Sequence, residues 1–315
     1  MDELISVLKS DVSKRLDVLI AEKTGISRSQ VQKLLREGYI IVNNLTGNPS
    51  YKVRISDSII LNKPQKATES LLPEALPVNI FYIDDYIVVV DKPPDMVVYP
   101  CAGHKAGTLL NAVFYRTKKL ASIGGPVRNG IVHRLDKDTS GVMVIALDDR
   151  AYYGLIEQFK KRTIKRKYTA LVYGSLKNET GQIVLNIGRS LTDRKKMSTK
   201  TKRGKEAITS WKVLKRFRSA TLIEVYLGTG RTHQIRVHFS SIGHPVLGDR
   251  VYGKKTYLIL DSTKIGFPRQ MLHADVLGFY HPITKTYLEF SSPLPEDITE
   301  CIEKINALGG QMPAK

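Results

Sequence analysis

Cysteine is nearly absent from this chain: 315 residues include only Cys101 and Cys301, far apart in sequence. Such a pair supports neither a disulfide framework nor a CxxC metal knuckle, and the scarcity points to a reducing, cytoplasmic setting. Long apolar runs are missing too. No segment approaches the roughly 18 unbroken apolar residues of a spanning helix. The opening MDELISVLKSDVSKRLD scatters acids among its apolar positions and has no signal-peptide profile. No membrane partner is expected. The chain also lacks a Walker loop, a GxGxxG after a strand and zinc-ligand spacing, so neither a cofactor nor a metal is expected. No internal repeat is found. Acidic residues are in deficit: 30 Asp plus Glu against 49 Lys plus Arg give a formal charge of +19. That excess selects polyanionic partners and says nothing about fold. Nucleic acid stands first among them, ahead of an anionic membrane surface.

Residues 12–62 read as a small module. In KRLDVLIAEKTG, Leu16, Leu19 and Ile20 share a helical face and Gly25 lies past its end. SRSQVQKLLREG repeats the pattern: Ser27 or Ser29 can cap it, Val31, Leu34 and Leu35 share a face, and Gly38 terminates it. YIIVNN and YKVRISDSIIL then read as strands joined by a turn through Thr46, Gly47 and Asn48. Arg28, Lys33 and Arg36 fall on the polar side of the second helix, where a plain solvated face is the ordinary reading. SRSQVQKLLREGYIIVNN resembles the RNA-binding module named after ribosomal small-subunit protein four, which implies that this helix docks on structured RNA. Asn44 stands where that family usually has Gly, and Asn also tolerates positive φ. Residues 63–77, with three prolines and little periodicity, suit a semi-rigid linker.

From residue 78 to about 305 strand signals dominate. FYIDDYIVVVDKPP gives two apolar runs around an Asp-Asp turn. TLLNAVFYRTKKL and DDRAYYGLIEQFKK read as helices capped by Thr108 and Asp148, the latter with a stripe of Ala151, Leu155 and Phe159. KYTALVYG, QIVLNIGR, EAITSWKVLKRF, ATLIEVYLG, QIRVHF and YLEFSS read as strands. Strands outnumber helices without strict alternation. The expected class is α+β: a mixed, largely antiparallel sheet with a central cleft, plus the small N-terminal α/β domain.

The most informative stretch is NGIVHRLDKDTSGVMVIALDD, a polar cluster from Arg134 to Thr139 ahead of a buried strand. Asp136, Asp138, Ser140 and Gly141 fit the first positions of an EF-hand loop, but Leu147 stands where a bidentate carboxylate is required and a strand replaces the exiting helix. Calcium is excluded. Two readings stay open on the residues alone: carboxylates bracing a tight turn, or catalysis by a lone acid.

HRLDKDTSGVMVIA resembles the signature of the large family of RNA pseudouridine synthases that modify ribosomal and transfer RNA. Further matches run in order: IVVVDKPPDMVVYP, EQF…KRKYTALVYG, GKEAITSWKVL, TGRTHQIRVHFSSIGHPVLGDRVYG, and LHADVLGFYHPITKTYLEF ahead of SSPLPED, spanning roughly residues 80–297. Asp91, Pro94, Asp95 and Tyr99 depart from the family's usual residues, and substrate fit rather than chemistry is where that is expected to tell. The resemblance implies a redox-neutral isomerisation: the ribose–nitrogen bond breaks, the base turns, and carbon-5 rejoins the sugar. It makes Asp136 the essential carboxylate, attacking the anomeric carbon or the uracil ring, or abstracting a sugar proton. Arg231 matches the family's partner arginine, which would pair with that acid and stand in the RNA stack for the extruded uridine. Tyr168 matches the active-site tyrosine, its ring against uracil and its hydroxyl available for a late proton transfer. A hydrolytic glycosidase would need two suitably placed carboxylates, and only Asp138 is near.

The histidines read as structural. His233 and His238, five apart in a strand-like run, face opposite sides, and His133, His273 and His281 read as hydrogen-bonders. Cys101 near His104 is a buried or incidental thiol. KKRTIKRK (160–167) holds six basic residues in eight and RKKMSTKTKRGK (194–205) seven in twelve. The first adjoins Tyr168, and the second reads as a hairpin tip. Lys165, Arg166 and Lys196 are the expected phosphate contacts there, with binding that weakens steeply in salt. Ribosomal RNA of the large subunit is the first expected substrate and transfer RNA the second, for a monomeric enzyme. The rival reading is a catalytically silent RNA-binding or ribosome-assembly factor on the same fold.

Overall fold

A computed structural model describes residues 2–62, 71–125, 127–193, 196–201, 203–253 and 256–309. The chain forms two compact units, Met1–Glu69 and Ser70–Lys315.

The first unit runs β1 (Asp2–Ile5), α1 (Leu16–Thr24), α2 (Arg28–Arg36), β2 (Ile40–Val42), β3 (Leu45–Thr46) and β4 (Ile59–Asn62), with sheet order β1-β4-β2-β3. Leu16, Leu19 and Ile20 of α1 and Val31 and Leu35 of α2 are buried against Ile40, Ile59 and Leu61. Gly25 takes the left-handed cap of α1, and the Ser27 hydroxyl accepts from Gln30 N at the start of α2. Two details differ from the sequence reading. The hairpin turns at Asn43 and Asn44, both at positive φ, and not at Thr46–Asn48. Asn43 is fixed there because its side chain donates to Asp57 and accepts from Ser58 N. YKVRISDSIIL is strand only over its last residues, and β1 pairs with them from ahead of residue 12.

The second unit contains β5 (Asn79–Ile83), β6 (Ile87–Lys92), α3 (Leu109–Thr117), β7 (Ser140–Ala146), α4 (Asp149–Lys161), β8 (Lys165–Tyr173), β9 (Thr180–Arg189), β10 (Met197–Ser198), β11 (Lys205–Arg216) and β12 (Ala220–Leu227). It continues through α5 (Gln234–Ser241), β13 (Tyr257–Leu260), β14 (Thr263–Gly266), β15 (Leu272–Tyr280), β16 (Tyr287–Ser291) and α6 (Glu296–Gly309). Its main sheet has the order β10-β9-β11-β12-β8-β15-β7-β6-β5, with β16 also on β15. Every pairing in it is antiparallel except β7 with β15, which is the largely antiparallel α+β arrangement expected.

Period-2 alternation explains the layers. Val88, Val90, Met143 and Ile145 point to the face covered by α3, while Ile87, Val89, Val142 and Val144 point to the face covered by α4. Strands apolar on both faces must lie at the centre of a covered sheet, as β6 and β7 do. Where β7 meets β15, Gly141 (φ 119°) has no room for a side chain: a Cβ would fall 2.1 Å from Ala274 O. The expected linker is described only from residue 71. There Asn111 donates to Leu72 O (2.6 Å) and Glu74 accepts from Gly107 N, so that stretch is bound to the second unit.

QIRVHF is a correction: it is not a strand but most of helix α5. Gln234 through Phe239 are all buried, so the helix has no polar face to betray its period. The short hairpin of β13 and β14 and the helix α6 were not anticipated from the sequence.

Candidate active site

Asp136 opens a tight turn just before β7, with Thr139 N donating back to Asp136 O (3.1 Å). Three groups brace that turn from beneath. Arg269 Nη1 donates to Asp138 O (2.9 Å) and its Nη2 to Ser140 Oγ (3.1 Å), while Asp297 of α6 holds the same guanidinium at 2.6 and 2.9 Å. Gln270 donates to Thr139 Oγ1. Lys92, at the end of β6 and fully buried, donates to Lys137 O, Pro93 O and Met96 O within 2.9 Å. The turn is thus braced by these three side chains rather than by its own carboxylates, and the Asp136 carboxylate is left facing a cavity.

Burial pushes the Lys92 ammonium down to about 7. Its unfolded counterpart titrates near 10.5, so between pH about 7 and 10.5 the unfolded chain holds a proton that the folded chain has released. Stability then rises with pH across that window. Lys92→Met is expected to lack this rise while wild type shows it, checked by urea unfolding at pH 7 and pH 10.

The cavity, about 590 Å³, is lined by Asp136, Tyr168, Arg231 and Arg236 together with Arg134 and Arg166. The guanidinium facing the carboxylate belongs to Arg236 of α5, not to Arg231: Arg236 Nη1 donates to Asp136 Oδ2 at 2.8 Å. The expected Arg231–Asp136 pairing is thereby corrected. Arg231 is exposed at the cavity wall, and its Nε donates to Glu206 O (3.1 Å). The TGRTHQIR match holds both arginines, and α5 carries residue 236 inward while 231 sits in the preceding loop. Buried Gln234 shapes that loop, accepting from Arg231 N and Thr229 Oγ1 and donating to Ile208 O.

Arg236 is itself gripped from behind. Fully buried Asp249, in the GDRVYG segment, accepts from its Nε (2.7 Å) and Nη2 (2.9 Å) and from the backbone N–H groups of Val251 and Tyr252. The result is a carboxylate–guanidinium–carboxylate chain, Asp249–Arg236–Asp136. Burial opposes the Arg236 charge, but the Asp249 bonds and Asp136 outweigh it and push its pKa up. Burial likewise opposes the Asp249 charge, and Arg236 with the two backbone donors still holds it below the usual carboxylate range. Asp136, 15% exposed, is the end of the chain that meets the cavity.

Tyr168 is buried on β8 in the same cavity, and burial raises its phenol above the ordinary value. Period 2 along β8 separates the basic run: Arg166 and Tyr168 line the cavity, whereas Lys165 and Lys167 pair with Glu289 (2.9 Å) and Asp275 (2.8 Å). Arg166 is thus an interior residue, only 9% exposed. Across the cavity Tyr99 holds two arginines, its hydroxyl accepting from Arg134 (2.9 Å) and its ring lying 4.7 Å from the Arg128 guanidinium.

His233 approaches Asp136 to 3.7 Å, but burial lowers its pKa, so it is neutral at pH 7 and makes no ion pair. Its Nδ1 meets Tyr252 Oη (2.7 Å), while His238 meets Thr209 Oγ1. The remaining histidines of interest are committed as well. Burial pushes His133 down to about 3, and its Nε2 accepts from Val144 N. His273 bridges Ser140 and Ser292, and His281 meets Asp84. Cys101 is exposed rather than buried and pairs with His104 only through backbone.

Arg28, Lys33 and Arg36 line α2 of the first unit. Arg28 also closes over buried Asp17 (3.0 Å), Lys33 lies 3.6 Å from Glu37, and Arg36 is exposed. Lys196 lies 3.8 Å from Asp193, beside a run whose residues 194, 195 and 202 are outside the described residues.

Comparison with known proteins gives the family. Residues 86–241 match the family model of RNA pseudouridylate synthases, and residues 14–59 match that of the S4 domain. An uncharacterized RNA pseudouridine synthase of Bacillus subtilis (strain 168) is 42% identical over 307 residues, covering 97% of this chain and 98% of the relative. The chain belongs to the RNA pseudouridine synthase family. A ribosomal large subunit pseudouridine synthase D of Pseudomonas aeruginosa is 40% identical, with 90% of this chain and 89% of that protein covered. Among solved structures, human RNA pseudouridylate synthase domain containing 1 superposes with a TM-score of 0.56 at 26% identity, covering 72% of this synthase and 89% of that chain. The enzyme is thus an RNA pseudouridine synthase with an N-terminal S4 domain, and among its described residues no helix is long and apolar enough to cross a membrane.

Proposed function

We propose that this synthase isomerises uridines of large-subunit ribosomal RNA, with the Asp136 carboxylate acting on a nucleoside turned out of its stack. What supports the reading most is one contact: the carboxylate sits 2.8 Å from a buried, permanently charged guanidinium at the wall of a cavity of about 590 Å³. Attack on the anomeric carbon, attack on the ring and abstraction of a sugar proton all ask for an ionised carboxylate aimed at the nucleoside. Tyr168 lies against uracil, and its hydroxyl serves the late proton transfer from carbon-5: its oxygen takes the carbon-5 proton while the phenol's own proton passes on toward the ring nitrogen freed from the sugar. Arg231, exposed by the cavity, stands in the RNA stack for the extruded base, whose removal costs a few kcal/mol. Arg28, Lys33, Arg36, Lys165 and Lys196 contact phosphates outside the cleft, which fits recognition by RNA shape. The named activity of the Pseudomonas aeruginosa relative favours ribosomal over transfer RNA as substrate. The reaction takes place in the cytoplasm and the enzyme acts as a monomer.

The test is to map pseudouridines in ribosomal and transfer RNA from cells with and without the gene, then restore them with purified enzyme on unmodified RNA. Sites that vanish and return in large-subunit RNA are the expected result. Changes confined to transfer RNA would overturn the substrate assignment.

A further inference from the structure

Arg166 carries a charge that the fold does not answer. The residue is only 9% exposed, its Nε is fully enclosed, and a guanidinium cannot shed its proton to escape the cost of burial. Even so, no carboxylate pairs with it among the described residues. Its strand neighbours, exposed Lys165 and half-buried Lys167, have Glu289 and Asp275, and buried Arg236 has two aspartates. Arg166 has one backbone carbonyl, Leu227 O, accepting from Nη2 at 3.0 Å, while its Nε meets no acceptor at all.

The side chain is held rather than loose. The Phe159 ring lies 5.5 Å from the guanidinium carbon, and Gly230 lies against Nη1, where an added Cβ would come within 2.9 Å. Phe159, Gly230 and Arg166 all line the cavity that Asp136 faces, and Lys160 is a further cation of that lining. A fixed, desolvated cation in a substrate cleft is an anion site awaiting its anion. A neutral base carbonyl could accept a hydrogen bond from it but would leave the buried charge uncompensated. In RNA the group with a full negative charge is the phosphodiester.

We propose that Arg166 binds a non-bridging oxygen of the phosphodiester adjoining the target uridine, within the catalytic cleft and apart from the surface phosphate contacts. This rests on the reading that the nucleoside enters the cleft. The subsite locates the strand beside the extruded base, so its contribution goes into binding and alignment, while bond-making falls to Asp136.

The experiment uses an RNA that wild type modifies, with the phosphates on either side of the target replaced singly by neutral methylphosphonate. In wild type one replacement is expected to lower kcat/KM by roughly tenfold to a hundredfold, the scale of a charge-assisted hydrogen bond. Arg166→Met should lose a similar factor on unmodified RNA, mainly through KM, and then be indifferent to that methylphosphonate. Its slope of log binding constant against log salt should be shallower by about 0.7–0.9, the equivalent of one phosphate. Its Tm should equal or exceed that of wild type, because an unpaired buried charge has been removed and the apolar stem kept. If Arg166→Met keeps the methylphosphonate penalty and the salt slope, or unfolds well below wild type, the guanidinium is structural or reads the base, and the proposal fails. Failure of wild type to make pseudouridine in any RNA would instead overturn the assignment of activity, while the salt slope, read on binding, would still judge Arg166.

Discussion

Asp136→Asn is expected to lower pseudouridine formation on the order of a thousandfold or more while leaving the fold and RNA affinity in place. The substitution removes the charge and the nucleophilic or basic oxygen but keeps the shape. Arg236 can still donate to the amide oxygen at the position it now occupies, and its other two donors remain with Asp249. The turn around residue 136 is braced through backbone carbonyls and neighbouring hydroxyls by Lys92, Arg269 and Gln270, none of which touches the lost charge. Release of the carbon-5 hydrogen from tritiated RNA measures the chemistry, and filter binding measures affinity. Turnover within tenfold of wild type would mean that another group reacts with the nucleoside.

Arg236→Met should cost both stability and activity, because two acids depend on that one guanidinium. Asp249 is fully buried, and loss of its bidentate partner leaves an uncompensated interior charge, a defect of about 3–5 kcal/mol. In a unit of this size that lowers Tm on the order of 10 °C. Asp136 would lose its facing cation as well, and turnover should fall with it. Arg236→Lys does not repair the site, since one ammonium cannot span two carboxylates with a planar fork. The double substitution Arg236→Met with Asp249→Asn should recover much of the melting temperature and none of the rate, which separates support from chemistry. Arg231→Met, by contrast, removes an exposed side chain with one backbone bond and should shift stability by only about 0.5 kcal/mol. A large fall in Tm for Arg231→Met with little for Arg236→Met would reverse the pairing.

Much of this molecule could be read from its chain. Caps at Ser27, Thr108 and Asp148 announced their helices because the side chains that satisfy a helix's first N–H groups lie within three residues of it. The buried strands β6 and β7 showed themselves as continuous β-branched runs. Helix α6 could have been found too, since Ile298, Cys301 and Ile305 recur at helical spacing and all are buried. Helix α5 could not. Ile235, Val237 and Phe239 alternate as in a strand, and a helix buried on all sides carries no polar stripe to correct that impression. The Arg231 assignment came instead from the resemblance, whose TGRTHQIR match holds both arginines and does not show which of them α5 turns inward.

What the sequence determined by itself was local and compositional: the basic charge, the cap and turn residues, the strand alternation, and an acid next to a buried strand in a segment resembling the synthase family. Which cation meets that acid was decided by tertiary structure, because Asp136 and Arg236 are 100 positions apart and meet only when β7 and α5 pack around one cavity. The same holds for Asp249 behind Arg236 and for the uncompensated charge of Arg166. Electrostatic pairing in an interior depends on distance and desolvation, and neither quantity exists until the chain has folded.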